Sequence, residues 1–186
     1  MRRHTRPLVF SMLIAGLVFT LAPASGAPAL PFITGGGRAT NNNSGNPNAP
    51  EQLGYGGFEA RAVEEGADEG EYVAEGEVQA RSVNVANNET VVKVHGNVVC
   101  IANLGNSGDQ GGDPDEDIWE IRFQIERSDP PGLEGRYTSI FVQDAGRQDY
   151  IDESAEFSLL TNPNCGDASR YRLEPLRGQV TVHNAD

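Results

Sequence analysis

Ile118-Trp119-Glu120-Ile121-Arg122-Phe123-Gln124-Ile125-Glu126-Arg127 decides the fold class. Trp119, Ile121, Phe123 and Ile125 fall on one face of an extended chain, and Glu120, Arg122, Gln124 and Glu126 on the other. A period of two is that of a half-buried strand, with its apolar face inward and its charged face in water. Val83 and Val85 follow the same rule, as do Val92, Val94, Val98, Cys100 and Ala102, with Gly96 as a bend.

Outward from this segment, runs rich in Val, Ile, Tyr and Phe alternate with Gly, Asn, Asp and Pro. The best helical candidate, residues 60–78, is interrupted by Gly66, Gly70 and Gly76. Each glycine costs roughly 1 kcal/mol inside a helix. Asn87-Asn88 reads as a hairpin turn, and Asp129-Pro130-Pro131-Gly132 and Asn162–Gly166 read as loops. Leu104–Asp117 is a Gly/Asp-rich insertion between two strands. The expectation is an all-β chain, an antiparallel sandwich or barrel of about 7–10 short strands.

The ends read differently. Arg2, Arg3 and Arg6 precede an apolar run from Leu8 to Leu21, followed by Ala22 and Ala24. The run is too short to span a bilayer and fits a secretory signal over residues 1–24. Residues 25–50, rich in Asn, Gly and Pro, read as a linker. Leu30, Phe32 and Ile33 ahead of Gly35-Gly36-Gly37 offer an edge strand near 30–38. Residues 51–186 are then the β-domain. The leader holds no acid, so its removal takes the 14 basic residues to 11 and the formal charge from −13 to −16. Such a chain, with Lys93 its only lysine, is a poor general binder of nucleic-acid phosphates or anionic membranes. No second apolar run is long enough to span a membrane.

Two cysteines in an exported chain read as one disulfide, Cys100–Cys165. The sharpest chemical candidate is the acidic insertion, where Asp109, Asp113, Asp115 and Asp117 offer oxygen ligands for calcium. Asp113, Asp115 and Asp117 have the spacing that opens an EF-hand loop. Ile118 and Gln124 then stand where Gly and Glu are needed, and the alternative is a solvated acidic loop. A second acidic group, Glu64 to Glu77, reads as an exposed face whose Glu71, Glu75 and Glu77 could pair with Arg61 or Arg81. With 27 acids, paired carboxylates for glycoside hydrolysis carry no signal by themselves. No nucleophile elbow, zinc helix or phosphate loop is present. Trp119 reads as core rather than as a sugar platform.

The order of Gly35-Gly36-Gly37, Leu53-Gly54-Tyr55-Gly56-Gly57-Phe58, the Asp144-Ala145-Gly146-Arg147-Gln148-Asp149 hairpin and the closing Leu176–His183 stretch resembles a family of small secreted bacterial β-domains of unassigned function. The resemblance spans roughly residues 33–184 and implies a compact β-barrel or sandwich without catalytic residues. The cysteine pair and the acidic insertion depart from it.

Three functions follow as expectations. The first is a secreted, non-enzymatic binding or structural module, monomeric, with an extracellular glycan or protein as partner. The second is a calcium-stabilised adhesion or carbohydrate-binding module. The third is a small secreted hydrolase using two carboxylates.

Overall fold

The computed structural model describes residues 29–41, 52–106, 112–152, 160–166 and 173–183. The expected signal segment, residues 1–24, lies outside them, as does the stretch 42–51. The described chain forms nine strands and no helix: β1 (Phe32–Asn41), β2 (Gln52–Glu65), β3 (Glu71–Asn84), β4 (Thr90–Asn103), β5 (Trp119–Asp129), β6 (Tyr137–Gln143), β7 (Tyr150–Asp152), β8 (Glu174–Pro175) and β9 (Arg177–His183). No described helix is long and apolar enough to cross a membrane.

All strands are antiparallel in one sheet, ordered β8-β7-β6-β5-β4-β3-β2-β1-β9. β8 and β9 are two parts of one segment interrupted at Leu176. The first pairs with β7 and the second with β1, so the sheet curls into a nearly closed barrel. The strand near residue 33 is therefore not an edge. β1 pairs with β2 on one side and β9 on the other, and the segment read as linker supplies an inner stave of the wall.

Closure is completed by carboxylates. Asp149, buried in the β6–β7 turn, accepts the Val180 N–H at 2.7 Å, and Asp144 accepts the Val182 N–H at 3.0 Å. These side chains satisfy donors on the β9 edge that no strand pairs. The Asp–Gly–Asp hairpin of the sequence is the clasp of the barrel.

Inward residues form one apolar core. β1 to β3 contribute five alanines, Ala39, Ala60, Ala62, Ala74 and Ala80, beside Ile33, Phe58 and Val78, while β5 and β6 contribute Trp119, Ile121, Phe123, Ile125, Ile140 and Val142. Small residues on one wall accommodate large ones from the other, as the taper of a filled barrel requires. The β3–β4 hairpin turns at Asn88, whose φ of 57° is tolerated by Asn, while Asn84 Oδ1 accepts the Ala86 N–H.

Two strand readings are corrected. A register shift between Val98 and Cys100 reverses the alternation of β4. Val94, Val98 and Ile101 join the main core, and Cys100 and Ala102 pack in a separate cluster with Cys165. An extra residue at a bulge moves all that follows to the other face. The charged face of β5 is also not all in water. Glu120 and Arg122 are each 0% exposed, because residues 162–166 cover them.

Candidate anion-binding groove

The Cys100–Cys165 disulfide forms, with Cα atoms 6.0 Å apart. It holds residues 162–166 against the outer wall. Beneath, Arg122 Nη2 donates to Glu120 Oε1 at 2.7 Å, and Ser139 Oγ donates to the same oxygen at 2.6 Å. The covering segment closes the set. The Gly166 N–H donates to Glu120 Oε2 at 2.7 Å, and the Cys165 N–H to Glu71 at 3.0 Å. Glu71 thus holds the cover. Of the other expected pairs, Glu75 lies opposite Arg61 in register, and Glu77 lies 3.5 Å from His95. A buried, fully bonded ion pair under a disulfide-held cover has no access for substrate, and its work is structural.

Of the calcium candidates, Asp115 and Asp117 line one depression with Glu116 and Asp144. Asp109 lies outside the described residues. Asp113 Oδ1 accepts the Asp115 N–H at 3.0 Å, and Asp117 accepts from Asn103 Nδ2 at 2.8 Å. Among the described residues, no three His, Cys, Asp or Glu side chains are gathered to hold a metal ion. The insertion is instead tied down by buried Gln143, which accepts the Asp113 N–H and donates to the Asp113 and Glu116 carbonyls.

The outer wall of β9-β1-β2-β3-β4 carries what the sequence did not announce. Register aligns Arg177 with Arg38, Arg38 with Tyr55, Tyr55 with Arg81, and Arg81 with Lys93. Arg177, Arg38, Arg81 and Lys93 are all exposed. Two positions along the strands, the wall holds Gly36 opposite Gly57, then Gln79 opposite His95. Two further on, Glu59 stands opposite Glu77. A basic row and an acidic pair thus flank a row with two glycines. Between them is a depression of about 1000 Å³, continued by a smaller one of about 350 Å³ beside His95 and Arg127.

Two details distinguish this surface from an ordinary solvated one. Like charges face like charges, at Arg38–Arg177, Arg81–Lys93 and Glu59–Glu77, where opposite pairs would stabilise the sheet. Gly57 has no backbone reason to be glycine, since a Cβ there would meet nothing within 4 Å and its φ is not positive. Gly36 differs, because its Cβ would meet the Gly56 carbonyl oxygen at 2.8 Å. A bare strand position with free space above it suits the close approach of a ligand.

No family model, curated protein or solved structure matches this chain.

Proposed function

We propose that this chain is a secreted, non-enzymatic β-module that binds an extracellular polymer on the outer wall of its barrel. The carrying observation is the groove itself, lined by Gly57 and bordered by rows of like charge. Export is supported by the N-terminal arginines, short apolar run and small residues of the sequence, together with the disulfide. The filled interior favours a surface site over an internal ligand chamber. The acidic insertion is tied to Gln143, and no three of the described acids gather to hold a metal ion, so it lends no support to a calcium-dependent variant.

The mature, oxidised protein is to be screened against immobilised extracellular polysaccharides and matrix proteins. Saturable binding that Gly57→Val weakens, without change to the polymer, is the expected result. Failure to bind any of them overturns the reading.

A second reading has one observation behind it. Glu59 and Glu77 are opposed across β2 and β3 beside the groove, as two carboxylates of a glycoside hydrolase would be. It requires release of reducing ends from a polysaccharide, lost in both Glu59→Gln and Glu77→Gln.

A further inference from the structure

We infer that the groove takes a linear polysaccharide of uronic acids, laid across the strands. The inference rests on the binding-module reading above and names its ligand. From Arg177 on β9 to Lys93 on β4 the row crosses four strand spacings, about 19 Å. The two basic pairs flank β2, and Arg38 and Arg81 are two spacings, about 10 Å, apart. A uronic-acid chain presents carboxylates at intervals of one sugar, a length close to a strand spacing. Its anions can therefore meet Arg38 with Arg177 and Arg81 with Lys93 in turn. An anion between Arg38 and Arg177 also removes the repulsion that these opposed cations carry when empty.

The opposite border selects among polyanions. Glu59 and Glu77 can accept hydrogen bonds and donate none. Sugar hydroxyls supply donors along the edge of the chain facing them. A nucleic-acid backbone has phosphates where those donors are needed, and a heavily sulfated glycan replaces its hydroxyls with charged esters. Both would be repelled by the acidic pair. The open position at Gly57 lets a sugar ring approach the backbone.

The test is titration of the mature, oxidised protein with fluorescent oligogalacturonate at low salt. Neutral dextran, dextran sulfate and poly(dT) are competitors. Two variants accompany the wild type. Arg38→Gln with Arg177→Gln removes one basic pair, and Gly57→Val fills the open position. Oligogalacturonate is expected to bind saturably, more weakly as salt rises. Each variant should cost about tenfold or more in affinity, with thermal midpoints no lower than wild type. Retained stability separates a filled or discharged groove from a damaged fold.

Absence of oligogalacturonate binding overturns the inference, as does equal affinity in wild type and both variants, or tighter binding of dextran sulfate or poly(dT). The two levels fail differently. If another polysaccharide binds and Gly57→Val weakens it, the uronate assignment falls and the module stands. If no polymer binds, both fall.

Discussion

At the scale of single residues, Arg122 and Glu120 show how a charge survives burial. Arg122 bonds to Glu120 and to Ser139 Oγ at 3.1 Å, while Glu120 also holds the Gly166 N–H. Removing one partner strands the other charge, so Arg122→Met should destabilise by about 3–5 kcal/mol. The double change Glu120→Leu with Arg122→Met should cost less than Arg122→Met alone, and urea denaturation of the three proteins reads the difference. Glu134 makes the complementary point in the open. It accepts the N–H groups of Ser128 and Gly132 and the Ser128 hydroxyl, closing the β5–β6 turn. Backbone hydrogen bonds, its own N–H first, lower its pKa from 4.5 to about 2. A carboxyl depressed on folding adds stability above its unfolded pKa and loses it as pH falls through the folded value. The stability advantage of wild type over Glu134→Gln should therefore be full above pH 4.5 and vanish towards pH 2. Paired melts across that window measure it, and a pH-independent difference would contradict it.

At the scale of elements, the barrel depends on how β9 is held on the side away from β1. Asp149 uses both carboxylate oxygens there, on the Val180 N–H and, at 3.3 Å, on the Ala145 N–H. Its backbone carbonyl takes the Leu176 N–H at 2.8 Å. Asp149→Asn puts an amide donor against one of two backbone donors, so it should destabilise nearly as much as Asp149→Ala, by about 1–3 kcal/mol. Amide exchange should accelerate most at Val180, and uniform acceleration across the barrel would argue against a local clasp. This element was legible in part. The Asp144–Asp149 turn reads as a hairpin from its sequence, but its two acids look like ordinary turn residues until β9 is placed beside them, some 30 positions later. The alternation of Trp119 to Ile125 identified an inward face because period two is local physics. It could not reveal that Glu120 and Arg122 lie under residues 162–166, since that cover arrives through a distant disulfide. The reversal of β4 at Cys100 was equally hidden, because a bulge changes phase without changing composition.

For the whole molecule, the meander sorts charge that the sequence scatters. The β2–β3 turn, the 104–117 insertion and Asp144 bring Asp68, Glu69, Asp113, Asp115, Glu116 and Asp117 to one end of the barrel. Arg38, Arg81, Lys93 and Arg177 lie towards the other. Sequence positions so far apart gave no sign of a basic row, and the net charge argued against one. Only strand register lines them up. The polarity also separates the disulfide from the groove. Cys100 is near the acidic end of β4, whereas Lys93 is near its start. The bond closes a 65-residue separation, and restriction of the unfolded chain is worth about 4 kcal/mol on the loop-entropy account. Cys100→Ala with Cys165→Ala should therefore lower stability by about that amount and speed exchange across residues 162–166. Affinity of the groove for oligogalacturonate, measured well below the lowered midpoint, should stay within about twofold of wild type, because additive behaviour is expected of distant sites without shared partners. A parallel loss of stability and affinity would mean that the cover over Glu120 and Arg122 also sets the curvature of β4, and so the spacing of Arg81 and Lys93.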